Sequence, residues 1–441
     1  MNNHISSSSL ILQQINKKKY PISFDDILCI KNLNSITDDE KTKIFYILTE
    51  AHIIYDNFYG LFLHVNMGEN CISIGDSFLS NEIFHKIIDN LLNEIFIIFK
   101  YDKIHIYFKD IEKLNFFFNF LISKNVEIKI LYFHIYEFDK NNDEKITSLF
   151  DYIKKCNSLK EVYLKGSFLK NNHIELLYNS LKNNKNMRLI DVSHNNIDNE
   201  SIKFLDDILN TTNIKIINIS ETSIDDPNFL NRLIESFFEY IKSGYCDDNI
   251  IRFNNYRLNL CHIFLMCNYI NNNEINFNKI KILDLSENYI TSMGANVLFE
   301  SIILNKTIVN LSYVLLSQNN LDDTCMETLG NLIKEKQSIV SLFLERNKIT
   351  DKGVEILCKS FIGNIIIKKI SFNNNKNITN DSFIFLNEFA NKSSVKIIEV
   401  FLTKILDSSI TLLNDTLSIP LDQREIPLIT NKDVKSASKV M

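Results

Sequence analysis

The chain has 441 residues, 45% hydrophobic residues and a formal net charge of −6, with an isoelectric point near 5.9. That balance argues against a general nucleic-acid binder, which needs a basic face. No apolar run reaches the about 18–20 residues that a bilayer span requires, and the eight cysteines form no C-x-x-C pair, which fits reduced thiols in the cytoplasm or the nucleus.

Residues 1–19 are polar and are expected to be a disordered N-terminus without a secretory signal. Residues 20–60 read as a helical N-terminal cap. Thr37 and Glu40 match a capping box, and Ile44, Leu48 and Ile53 share a helical face. Residues 61–156 read as degenerate repeats. Ile72 with Ile74, Ile104 with Ile106, and Leu131 with Phe133 give paired strand positions, and helices are expected at 83–98, 111–123 and 143–155.

A regular pattern fills 157–406. It runs Leu159, Val162, Leu164, Leu169, then Met187, Ile190, Val192, Asn195, Ile197, then Ile214, Ile217, Ile219, Ile224. Leu260, Ile263, Leu265, Asn268 and Ile270 fit it after an expected insertion near 245–259. Next come Ile280, Leu283, Leu285, Asn288, Ile290 and Leu311, Val314, Leu316, Asn319, Leu321. Ile339, Leu342, Leu344, Asn347, Ile349 follow, then Ile367, Ile370, Phe372, Asn375, and Val395, Ile398, Val400, Ile405. The last four copies start 28 residues apart, as do the first two. Two apolar residues two apart point to one side of a short strand. The Asn marks a turn whose amides need a partner that both donates and accepts. Residues such as Val354, Leu357 and Phe361, behind a Thr350 or Asp351 cap, then form a helix. Residues 407–441 lose the pattern and read as a C-terminal cap and flexible tail.

This spacing is the leucine-rich repeat signature. Its 28-residue period with a helix per copy resembles the ribonuclease-inhibitor-like subclass. The resemblance implies an α/β solenoid, a horseshoe with parallel strands on the concave face and helices on the convex face. The concave face would then carry Tyr163, Asp191, Glu221, Asp284, Glu287, Phe343, Glu345, Glu399 and Phe401. Acidic groups around aromatic anchors suit a basic protein partner. No phosphate loop, nucleophile elbow or zinc-protease motif is present. Cys246, Cys261, His262 and Cys267 lack zinc spacing. The expected function is therefore a non-enzymatic protein-interaction scaffold, without cofactor or metal, and without membrane or nucleic-acid binding.

Two further resemblances imply other roles. The stretches "LSENYITSMGANVL" and "LERNKITDKGVEIL" are similar to Ran GTPase-activating proteins, which implies regulation of a small GTPase. The tail, with Lys432, Lys435 and Lys439, departs from the acidic tail of that family. Pro21 followed by Asp25–Ile30 resembles an F-box adaptor and implies a ubiquitin-ligase substrate receptor.

Overall fold

A computed structural model describes residues 61–66, 71–76, 102–108, 111–135, 146–244 and 249–418. The expected N-terminal cap, the helix at 83–98 and the tail beyond Ser418 lie outside these residues. Two compact bodies divide after Ile224, and each is described by itself.

The first body is built on a seven-stranded sheet in sequence order. Its strands are β1 (Leu61–Asn66), β2 (Cys71–Asp76), β3 (Lys103–Phe108), β4 (Ile130–Ile135), β5 (Glu161–Tyr163), β6 (Leu189–Asp191) and β7 (Ile216–Asn218). β1 runs antiparallel to β2; every later pair is parallel. Helices α1 (Ile111–Ser123), α2 (Thr147–Lys155), α3 (Asn171–Leu181) and α4 (Ile202–Thr211) connect strands. Among the described residues of 61–156, α1 lies between β3 and β4 and α2 between β4 and β5. Ile104, Ile106, Leu131 and Phe133 are buried, together with Phe117 and Phe118 of α1.

The second body opens with helix α5 (Pro227–Lys242), capped by the Asp226 carboxylate accepting from the Phe229 N–H. Its six-stranded parallel sheet holds β8 (Ile250–Arg252), β9 (Ile282–Asp284), β10 (Tyr313–Leu315), β11 (Ser341–Phe343), β12 (Lys369–Ser371) and β13 (Ile397–Glu399). Helices α6 (Leu260–Ile270), α7 (Ser292–Leu304), α8 (Met326–Glu335), α9 (Asp351–Phe361), α10 (Phe383–Lys392) and α11 (Asp407–Ser418) alternate with or follow them. Thr350 is the residue that caps α9, accepting from the Lys352 N–H.

Here the structure corrects one expectation. Within the stretch 245–259, the described residues 249–259 are not an insertion: they contain β8, paired in register with β9 through Ile251 and Leu283. Leu260–Ile270, read from sequence as a strand, is α6. Cys261 and His262 accordingly lie on a helix, His262 buried and Cys261 exposed.

The middle residue of every repeat strand points into the core. Ile190, Leu283, Val314, Leu342 and Ile370 are at most 2% exposed. Each such side chain contributes about 1.5–3 kcal/mol when fully buried, but only if a neighbour covers it. The asparagine at the end of the strand joins the neighbours. The Asn347 amide donates to its own Leu344 carbonyl (3.1 Å) and to Leu316 of the preceding repeat (3.0 Å), while its oxygen accepts from the Leu321 N–H (3.0 Å). Asn195 in the first body, and Asn288, Asn319 and Asn375 in the second, repeat the arrangement. This is the fold of a leucine-rich repeat array.

Two outcomes are expected. Asn347→Ala strands the buried Leu321 N–H and costs about 1–3 kcal/mol, read as a lower midpoint in denaturant unfolding; a neutral effect would refute the bridge. Burial holds the His262 imidazole below the usual histidine pKa, while its Nδ1 accepts from the Asn259 N–H at the start of α6. The unfolded chain takes up a proton first as pH falls below about 6.5. Stability is therefore lost as pH drops from that value through the lower folded pKa. His262→Gln, which keeps an acceptor at the cap, flattens this loss in melting temperature between about pH 6.5 and 5; an unchanged slope refutes the assignment.

Candidate functional site: the strand faces

On a repeat strand the first and third residues face away from the helices, and parallel register sets them side by side. In the first body the third position holds His105, Tyr132, Tyr163, Asp191 and Asn218. The aromatic side chains form a column. His105 and Tyr132 stack at 4.1 Å between centroids, and Tyr132 and Tyr163 at 4.3 Å. The Tyr163 hydroxyl donates to Glu161 (3.0 Å), and Glu161 is paired with Arg188 at 2.6 Å.

Asp191 is only 8% exposed. Its carboxylate accepts from the Ser193 N–H (2.9 Å) and from the Asn218 amide (2.8 Å). It shapes the strand end rather than presenting a free charge. Asn218 with Ser220, and Asp284 with Ser286, make the same turn. Glu221 lies on the following left-handed turn, with φ of 56°, and is exposed.

In the second body the third position holds Arg252, Asp284, Leu315, Phe343, Ser371 and Glu399. The expected acidic stripe is here interrupted by cations. Arg252 Nε stands 3.6 Å from Asp284, and Lys369 Nζ 2.6 Å from Glu399. Burial acts to raise the Glu399 pKa, but hydrogen bonds from Lys369 and Asn373 and the lysine charge outweigh it and hold the carboxyl below its usual range. Lys369 also lies 5.2 Å from the centre of the Phe343 ring. Glu345 accepts from the Ser317 hydroxyl, and Glu287 from the Asn255 amide at 3.1 Å. Neither has a cation partner among the described residues. Glu287 occupies the left-handed turn position, φ 60°. Phe401, 70% exposed, stands at the end of the sheet.

Sequence reasoning overlooked the first strand position. There Ile282, Tyr313 and Ser341 stand beside one another, and Leu315 and Phe343 are neighbours in the next row. Tyr313 is 42% exposed; Ile282, Leu315 and Phe343 are half-buried. Together they make an apolar centre. Arg252 was hidden by reading its strand as an insertion, although the run Ile251, Phe253, Leu258 carries the repeat spacing with Tyr256 in place of Asn. Phe264 and Met266 belong to α6; Met266 is in the core and Phe264 is exposed on the helix.

Cys156, Cys267, Cys325 and Cys358 are buried, and burial pushes all four thiols up, Cys325 to about 11. They remain protonated and weakly nucleophilic at neutral pH. Arg346 sits in a left-handed turn (φ 54°) and donates to the Gln318 side chain at 3.1 Å. Among the described residues no group of three His, Cys, Asp or Glu could hold a metal, and no helix is long and apolar enough to cross a membrane.

No family model matches the sequence, and no curated protein does. Among solved structures, the chain is similar to leiomodin-1 actin-binding site 2, at 14% identity over 41% of this chain and 86% of that one, with a TM-score of 0.28. It is also similar to an internalin from Listeria monocytogenes, at 12% identity over 66% and 71% of the two chains, with a TM-score of 0.37.

If the Lys369–Glu399 pair is a surface pair like others of its kind, Lys369→Met shifts unfolding stability by no more than about 1 kcal/mol. A loss of several kcal/mol in denaturant unfolding would mean instead that the pair supports the sheet.

Proposed function

We propose that this chain is a non-catalytic scaffold that binds a protein partner on its strand faces. In this reading the array is of the ribonuclease-inhibitor-like subclass, with the strands lining the concave side of a horseshoe. Its 28-residue spacing and its helix in each repeat support the subclass.

The observation that carries the function is the apolar centre of the second sheet: Ile282, Tyr313, Leu315 and Phe343, side by side on paired strands. Exposed aromatic and aliphatic side chains gathered in one patch favour a partner surface over water. Tyrosine and phenylalanine supply contact area at low entropic cost. Glu287 and Glu345, beside that patch and without cation partners among the described residues, suit a lysine or arginine of the partner. The apolar anchors supply affinity; the carboxylates supply steering and register. A basic partner is thus favoured less strongly than an uninterrupted acidic stripe would suggest, because Asp284 and Glu399 already have cations.

The experiment is affinity purification from native extract with mass spectrometry, followed by calorimetry on the purified partner. Tyr313→Glu with Phe343→Glu weakens binding at least about 100-fold with an unchanged melting temperature. Glu287→Lys with Glu345→Lys weakens it about 10-fold, more at low salt than at high. A small GTPase or a ubiquitin-ligase subunit retained equally by both variants would overturn this reading.

A further inference from the structure

The end of the second sheet has a feature that the strand face does not explain. Within this sheet each strand donates from two backbone positions to the next strand. Leu344 and Arg346 donate to Ser371 and Asn373, and Phe372 and Asn374 to Glu399 and Phe401. Carbonyls complete the ladder: Val340 accepts from Lys369, and Lys368 from Ile397. The equivalent groups at the last strand are the N–H groups of Val400 and Leu402 and the carbonyl of Lys396. Among the described residues no strand pairs with them. They border a cavity of about 700 Å³ whose other wall is Ile410, Asn414 and Leu417 of α11. Ile397 and Phe401, which line it, are 47% and 70% exposed. An open strand edge of this kind recruits an extended chain.

Two observations identify the chain that it takes. The first is phase. The inward strand pair Ile370 and Phe372 returns 28 residues on as Ile398 and Val400, and 28 residues further on stand Ile426 and Leu428. The complete repeat spacing ends with Ile405, but this pair continues it. The second is reach. Helix α11 ends at Ser418, which lines the cavity with Leu417, so the 23 residues that follow set out from its rim. In the four preceding repeats, between four and eight residues separate helix from strand; six separate Ser418 from Glu425. A segment on so short a link is held at roughly millimolar effective concentration, an advantage that no separate molecule has.

We propose that residues 425–429 of this chain close the sheet as a further strand, parallel to β13. Glu425 donates its N–H to the Lys396 carbonyl. The Val400 N–H donates to the Pro427 carbonyl, and the Leu402 N–H to that of Ile429. Ile426 and Leu428 point inward, continue the row of Ile398 and Val400, and fill the cavity against α11. Ile429 lies beside Phe401. Pro427 has no N–H to offer the Ile398 carbonyl, so this ladder carries one bond fewer than the others. In return its ring fixes φ and biases Ile426 toward extended backbone, which lowers the entropy lost on pairing. The tail thus supplies the strand that keeps this edge from pairing with other chains. The proposal is independent of the apolar centre on the strand face.

The test follows amide hydrogen exchange residue by residue in the dilute full chain. Val400, Leu402 and Glu425 exchange at least about 100-fold more slowly than an unstructured peptide. Ile426 and Leu428, whose N–H groups face away from β13, exchange fast. A higher chain concentration leaves the pattern unchanged. Ile426→Asp with Leu428→Asp abolishes the slowing at Val400 and Leu402 and leaves the Leu344 amide, bonded to Ser371 within the sheet, as slow as before. Ile426→Val with Leu428→Ile keeps the slowing. Four results would overturn the proposal. Val400 and Leu402 exchange fast in the full chain, so the edge is open. Their slowing grows with chain concentration, so a second copy occupies it. The slowing survives the aspartate pair, so another segment covers the edge. Or Glu425, Ile426 and Leu428 are slowed alike, so the tail is not a strand on this edge.

Discussion

The structure depends on one side chain doing two jobs at once. A short strand must turn sharply toward its helix, and the turn leaves N–H and C=O groups buried without partners. Each such group costs about 1–3 kcal/mol when left alone. An asparagine amide has both a donor pair and an acceptor, so it closes its own turn and reaches into the preceding repeat. Asn319 illustrates this: it donates to its own Leu316 carbonyl and to Leu285, and accepts from Ile290. No repeat can satisfy its turn in isolation, just as none can cover its own apolar row. Stacking is therefore required twice, by hydrogen bonding and by burial, and the two requirements share the same register.

That register decides what the strand faces can present. Side chains at equivalent positions stand about 4.8 Å apart, so unlike charges on adjacent strands meet whether or not they lie near each other in sequence. Arg252 and Asp284 pair this way, and Lys369 reaches diagonally to Glu399, whose register partner is Ser371. The same rule gathers His105, Tyr132 and Tyr163 into a column. Functional character on such a face belongs to a row across repeats.

The repeats with Asn were legible in the sequence because their side chains are fixed by burial and by the turn; both leave a periodic trace. Ile339 to Ile349 and its copies sit where the spacing puts them. The β8 repeat escaped because Tyr256 occupies the asparagine position, while Leu260, Ile263, Leu265, Asn268 and Ile270 imitate the motif inside a helix. Residues three and seven apart, as Leu260 is from Ile263 and Ile263 from Ile270, can satisfy a strand template and still share a helical face. A second set of asparagines was also passed over. Asn184, Asn305 and Asn364 accept from two backbone N–H groups each, where helices return to strands. In an asparagine-rich chain their local turns leave no contrast against the background. The expected face residues were placed near their true rows, but whether each was free or already engaged depended on partners about 30 positions away. Asp191 is the clearest case, its charge absorbed by a turn.

The left-handed turn after each strand carries one more consequence. His194 and Glu221 in the first body, and Asn255, Glu287, Gln318, Arg346, Asn374 and Leu402 in the second, all adopt φ between 54° and 60°. Such a conformation costs a residue other than glycine about 1 kcal/mol or more, and these eight positions accept it with imidazole, carboxylate, amide, guanidinium and alkyl groups alike. The backbone constrains the position, and side-chain chemistry is left open. The turns form a set of interchangeable sockets: a new recognition property can be installed there by substitution alone, with no demand on the core, and glycine at sockets of no use to a partner would make the array more robust.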